Sequence, residues 1–271
     1  MSPVEPSRLS ERLEELYAEY NRPELIHPDP LEFLPRYSDG ADREVVALVA
    51  SSLAYGRVEL ILRAVGDLLG RMGPSPARFL RETPEAGILR ACRGFAYRFA
   101  SESHAAALLA GAKCALDSHG SLESCFFAGW RDGFDTVAPA LSAFVAELSR
   151  GGDCGHLLPD PSKRSACKRL NLMLRWLVRR DAVDPGGWER VDPSKLVIPL
   201  DVHMHKVGLA FGFTSRKQAG LAAALEITSG FRRMSPDDPV KYDFSITRLG
   251  IRADADLDAF LDSCARPPGT P

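Results

Sequence analysis

The chain has 271 residues, 45% of them hydrophobic and 26% charged, the profile of a soluble globular protein arranged as one large domain or two small ones. Lys and Arg number 34 against 36 Asp and Glu, a net charge of −2, which excludes a polybasic protein that holds nucleic acid by bulk charge. No run approaches the roughly 20 apolar residues of a membrane span, and the charged, amphipathic start MSPVEPSRLSERLEELYAEY is unlike a signal peptide.

Helical period governs nearly every long segment, which predicts an all-α fold. Leu9, Leu13, Leu16 and Tyr17 mark a first helix, and Val45 to Leu53 a second that Tyr55-Gly56 closes. Val58, Ile61, Leu62, Val65, Leu68, Leu69 and Met72 then follow the i, i+3, i+4, i+7 pattern until Gly73-Pro74 stops it. Leu108–Leu116 and Val137–Leu148 mark further helices, and Gly151 to Pro161 is a loop rich in breakers. A basic helix is expected over Arg164–Arg180, with a turn at Asp184-Pro185-Gly186-Gly187-Trp188. Leu196-Val197-Ile198-Pro199 reads as extended, because proline biases its predecessor away from the helical region. Helices fit Val202–Phe211, Lys217–Thr228 and Val240–Gly250, and no alternating strand pattern is present. The expected shape is a single globular unit with two lobes around a central cleft. Residues 40–150 build mainly one lobe; residues 1–39 and 160–260 build mainly the other.

Two stretches carry chemistry. On a wheel of the basic helix, Cys167, Leu170, Met173, Leu174, Leu177 and Val178 face the core. Arg164, Lys168, Arg175 and Arg179 share one flank, with Leu172 beside them, and Lys163 to Arg180 holds seven basic residues and no acid. A solvated basic face is the simplest reading of such a run. The chain has only seven lysines, however, so Lys168 among arginines calls for a role that arginine cannot fill. The second stretch is Ile198-Pro199-Leu200-Asp201-Val202-His203-Met204-His205, in which Asp201 stands where an N-cap is expected. His203 and His205 diverge by about 200° on a helix and cannot easily share a metal. The six cysteines, Cys92, Cys114, Cys125, Cys154, Cys167 and Cys264, show no CxxC spacing. Neither a metal, a cofactor nor a disulfide framework is therefore expected, and the cytoplasm is the expected setting.

A lysine-bearing helix followed by a P-L-D-V-H segment resembles the helix-hairpin-helix DNA glycosylases, whose (V/I)P(V)D(x)H segment carries a catalytic aspartate. The 33-position spacing of Lys168 and Asp201 is nearest to that of the archaeal-type 8-oxoguanine DNA glycosylases. The chain also resembles a bacterial family of uncharacterised proteins with SxxKRLNxxLRW and IPLDxH motifs, here Ser165 to Trp176 and Ile198 to His203. Asp238-Pro239-Val240-Lys241-Tyr242-Asp243-Phe244 matches that family as well, so the resemblance covers most of residues 40–252. The superfamily's hairpin reads L-P-G-V-G, whereas Leu158-Pro159-Asp160-Pro161-Ser162-Lys163 lacks the glycines. That leaves Ser162, Lys163 and Arg164 as candidates for the phosphate contact.

The resemblance implies a base-excision repair glycosylase with AP lyase activity that removes an oxidised purine, foremost 8-oxoguanine, from double-stranded DNA as a monomer. Lys168 would attack the sugar and form a Schiff base, and Asp201 would stabilise charge and move protons. Positive charge from Arg164, Arg175 and Arg179 would favour the neutral amine. Those arginines, with Arg169 and His203, would also hold phosphates. Leu172 would pack on the extruded base, Tyr242 or Phe244 would cover its other face, and Asp238 or Asp243 would read its edge. Two alternatives stand beside this: a non-catalytic all-α DNA-binding protein using the Arg164–Arg180 helix, and a helical scaffold that touches no nucleic acid.

Overall fold

The computed structural model describes residues 6–252 and 255–265, and it is all-α apart from one two-stranded hairpin. The first half runs α1 (Pro6–Tyr20), α2 (Gly40–Ser52), α3 (Val58–Met72), α4 (Pro76–Glu82) and α5 (Glu85–Cys92). The hairpin of β1 (Ala96–Tyr97) and β2 (Ala100–Ser101) follows, then α6 (Glu102–His119), α7 (Leu122–Ala128) and α8 (Ala138–Leu148). The second half runs α9 (Lys168–Val178), α10 (Val202–Ala210), α11 (Leu221–Arg232), α12 (Asp243–Ile251) and α13 (Leu257–Ala265). None of the described helices is long and apolar enough to cross a membrane.

The centre is α2. Val45 to Ser52 are buried on every side of it, as an all-round apolar helix must be. It packs against α3, α4, α7, α9 and the 3₁₀ turn Pro30–Arg36. Its two buried acids cap neighbouring helices. Asp42 accepts from Ser75 Oγ at 2.9 Å and Ala77 N–H at 2.8 Å, at the start of α4. Glu44 accepts from the N–H groups of Leu122 and Glu123, both at 2.9 Å, and from Trp188 Nε1 at 2.7 Å. Helix N-termini leave unpaired N–H groups, so a buried carboxylate is satisfied there while it fixes where each helix begins.

Helices α3, α4 and α7 pack directly on α2, and α6 packs on α4, α5, α7 and α8 to complete that group; α1 and α13 pack on α12, and α10 packs on both α11 and α12. Helix α9 joins the groups by lying along α2, and one hydrophobic core runs through the whole. The 3₁₀ turn Pro30–Arg36 packs on α2 and α3.

The basic helix is shorter than its charge pattern predicts. Pro161–Lys163 form a separate 3₁₀ turn, and Arg164 (φ 61°) and Cys167 (φ 46°) adopt left-handed backbone, so α9 starts only at Lys168. Arg179 is already extended, which ends it. The last helices begin later than expected, α11 at Leu221 and α12 at Asp243. The hairpin is too short for alternation to be read from sequence.

Helix α6 meets the end of α8 and the turn after it at close backbone approach. A Cβ on Gly111 would lie 1.9 Å from the Leu148 carbonyl oxygen, whereas one on Gly70, in α3, would meet nothing within 4 Å. We therefore expect Gly111→Ala to destabilise the fold by about 1–3 kcal/mol through overpacking. Gly70→Ala should stabilise it by about 0.5–1 kcal/mol through helix propensity. Urea unfolding of the two variants checks both signs.

Candidate functional site

The two chemistry-bearing stretches meet. Lys168 opens α9, and its Nζ lies 3.2 Å from Asp201 Oδ2. Left-handed backbone at Cys167 sets the direction in which the helix starts, and Asn171 Nδ2 donates to the Ala166 carbonyl at 3.0 Å across the bend. Asp201 caps α10 as expected: its Oδ1 accepts the Met204 N–H at 2.8 Å, leaving Oδ2 for the lysine. The preceding Leu196–Leu200 is extended and buried throughout, and Ile198 N–H donates to Thr228 Oγ1 of α11 at 3.0 Å. Both charged groups are thus presented by anchored backbone, with the lysine side chain 36% exposed and the aspartate 15%.

The pair borders a cleft of about 260 Å³. Its walls are largely apolar: Tyr55, Val58 and Ile61 on one side, Leu172, Pro199, Phe244 and Ile251 on the others. Arg175, Asp243, Asp29 and Arg248 supply further polar lining. Of the residues singled out from sequence, Lys168, Leu172, Arg175, Asp201, Asp243 and Phe244 share this cleft.

Arg175 and Arg179 require a correction. Both are on the flank shared with Lys168, but each is only 3% exposed and neither meets solvent as a phosphate ligand would. Arg175 Nη1 lies 2.5 Å from Asp243 Oδ2, and its Nε and Nη2 lie 3.2 and 3.1 Å from Asp184 Oδ1. Arg179 bonds Asp184, Asp238 at 2.8 Å and Asp181 at 2.9 Å. Burial works against the Arg175 charge, but Asp184 and Asp243 hold it protonated above the usual range. Their charge is spent on these carboxylates, so they are not a free positive wall beside Lys168.

The other candidates, Asp238, Tyr242, Arg169, Ser162, Lys163, Arg164 and His203, do not line the cleft. Asp238 belongs to the Arg179 cluster, and Tyr242 is buried with its hydroxyl on Glu14 at 2.6 Å, so neither lines the cleft. Arg169 Nη1 donates to the Ser52 carbonyl at 2.9 Å and Nη2 to that of His156, with the guanidinium 5.1 Å from the Tyr55 ring centre. Two of its donors are thus taken by the protein, and it braces Tyr55. Ser162, Lys163 and Arg164 are exposed but apart from the cleft, Arg164 bordering a depression with Arg216 and Lys217. His203 rests against Gly250 of α12 and does not line the cleft.

Sequence reasoning missed Tyr55, Asp29 and Arg248. Arg248 is buried, its Nη2 2.6 Å from Asp29 Oδ2 and its Nη1 3.3 Å from the Ile26 carbonyl, while Nε has no partner among the described residues. The signal was available for one of them: Asp243, Thr247, Arg248 and Ile251 fall on one face of a helix. Asp29 and Tyr55 arrive from separate parts of the chain and carried no local signal.

Burial pushes the Asp243 carboxyl up to about 6; Arg175 pulls it down and Asp201 raises it further. The folded protein therefore keeps a proton there that the unfolded chain has lost above about pH 4. This group's contribution to stability falls as pH rises from about 4 to 6 and is level above. The unfolding free energy of the protein relative to Asp243→Asn, measured in urea across pH, should drop over that window. Removing the arginine is a larger insult: Arg175→Ala leaves the buried Asp243 without its guanidinium partner and Asp184 with Arg179 alone, and should cost about 3–5 kcal/mol. Lys163→Ala, at the surface, should stay within about 0.5 kcal/mol in the same assay.

No curated protein and no solved structure matches the chain. The chain matches a family model described as a protein of unknown function (DUF2400), over residues 29–252, a span that includes the lysine helix and the aspartate cap. The chain belongs to the DUF2400 family.

Proposed function

We propose that this protein is a DNA glycosylase with AP lyase activity, acting on an oxidised purine such as 8-oxoguanine turned out of duplex DNA into the cleft. The observation that carries the reading is a lysine amine 3.2 Å from an aspartate carboxylate at the edge of a largely apolar cleft of about 260 Å³. A primary amine that can shed its proton attacks an electrophilic sugar carbon and becomes an imine, which arginine cannot do. The carboxylate beside it stabilises positive charge developing on the ring and takes up or returns protons.

The walls suit a flat, largely apolar group with polar edges. Leu172, one turn after Lys168, and Phe244 or Tyr55 would grip its faces, while Asp243 and Arg248 would meet its hydrogen-bonding edge. Attack at C1′ by the Lys168 amine expels the base. The opened sugar then carries a C1′ imine, whose α-proton is lost as the 3′ phosphate leaves by β-elimination. Borohydride reduces the imine to a stable amine and so traps the covalent complex. A purely binding role for the basic helix is less well supported, because Arg175 and Arg179 are buried and neutralised.

The test is borohydride trapping on a panel of lesion-containing duplexes. One lesion should yield a covalent complex with the natural chain, and Lys168→Gln should abolish it while the lesion duplex still binds. Asp201→Asn keeps a capping side chain and so should keep the fold, yet slow base removal by about 10²–10⁴-fold. Full trapping with Lys168→Gln, or no trapping on any lesion, would overturn the proposal.

A further inference from the structure

The largest apolar side chain left in water sits at the apex of the hairpin. Phe99 is 71% exposed, although the flanking Tyr97 and Ala100 are buried. Arg98, beside it in the two-residue turn, has left-handed backbone at φ 51°, a strained conformation for a side chain with a Cβ, and it turns the apex outward. The ring is steadied from behind, edge-on to His156 at 5.7 Å and with the Arg98 guanidinium 5.7 Å from its centre.

This apex is fastened to the cleft. Tyr55 Oη donates to the Tyr97 carbonyl at 3.1 Å, and Tyr97 Oη donates back to the Tyr55 carbonyl. The two rings pack at 5.0 Å. Gly56 follows with φ 100°, and a Cβ there would lie 2.5 Å from Arg98 Nη1, so the glycine lets the hairpin close against the segment. Tyr55 and Gly56 both line the cleft. A rigid, exposed phenyl ring therefore stands next to the opening into which a base would turn.

We propose that Phe99 is the wedge that enters the base stack as a nucleotide leaves it, with Arg98 as its positioning residue. This rests on the reading of the cleft as a site for an extruded base. A flipped nucleotide leaves a gap whose neighbours lose stacking, and an apolar ring that fills the gap restores part of it. The position explains why a phenylalanine is held in water on a braced turn instead of folding into the core.

The experiment uses the full chain in a Lys168→Gln background, which blocks turnover, and a duplex carrying 8-oxoguanine with 2-aminopurine as its 3′ neighbour. Anisotropy of a labelled duplex reports binding, and 2-aminopurine fluorescence reports loss of stacking. With Phe99 present, saturating protein should raise the fluorescence several-fold. Phe99→Ala should bind yet leave it near the free-duplex level, and Phe99→Leu should restore much of the rise. An equal rise with Phe99→Ala overturns the wedge alone. Failure of the Lys168→Gln protein to bind the duplex removes the cleft reading and the wedge together.

Discussion

Two guanidiniums, Arg175 on α9 and Arg179 directly after it, are enclosed with four carboxylates, and the placement of the cleft follows from that cluster. Asp181 and Asp184 come from the loop just after α9, Asp238 from the approach to α12 and Asp243 from its first turn. Arg175 and Arg179 cannot be deprotonated in place, so each must find partners wherever the helix buries it. The partners they find fix α9 to α12 along one line. Tyr17 Oη donates to Asp181 at 2.9 Å, which adds α1 to the same junction. A buried ion cluster is a weak source of net stability but a strong source of register, because a shifted helix would leave charges unpaired.

That register divides α9 into two ends with different work. Its later half is enclosed by carboxylates and core. Its first turn, where Lys168 and Leu172 project from the same flank, opens on the cleft. Asp243 links the ends, bonding Arg175 on one side and lining the cleft on the other. The protonation state of the cleft floor and the anchoring of the helix are thus coupled through one carboxyl, lifted by burial to about 6.

What could be read from the sequence depended on whether the signal was local. The Lys168–Asp201 meeting was legible because each residue belonged to a motif with its own logic, an isolated lysine among arginines and an acid at a helix start. The all-α architecture was legible for the same reason, since amphipathic period is a property of neighbouring residues. The fate of Arg175 and Arg179 was not legible: on a wheel they look like a solvated stripe, and only the returning loops at 181–184 and 238–243 turn the stripe inward. Tyr55 and Arg248 were hidden by separation along the chain, and the hairpin by its two-residue strands. One departure from the helix-hairpin-helix pattern, the missing glycines, was visible at once but not its consequence.

That consequence is electrostatic. In the Pro161–Lys163 turn, the Ser162 N–H donates to Asp160 Oδ1 at 2.8 Å and the Lys163 N–H to the Asp160 carbonyl at 3.2 Å. The Arg164 N–H turns back to the Pro161 carbonyl at 3.0 Å. Hydrogen bonds from Ser162 hold the Asp160 carboxyl below the usual range, so a resident carboxylate occupies one of the amides that a glycine-rich hairpin would offer to a phosphate, and backbone carbonyls occupy the next two. A DNA backbone approaching this turn would meet a carboxylate instead of free N–H groups. Under the proposed function, anchoring must then come from flexible cations at the surface, Lys163 and Arg164 first among them, together with the grip of the cleft on the extruded base. Such a balance places recognition in the cleft and leaves the backbone contacts few, in keeping with a chain whose net charge is −2.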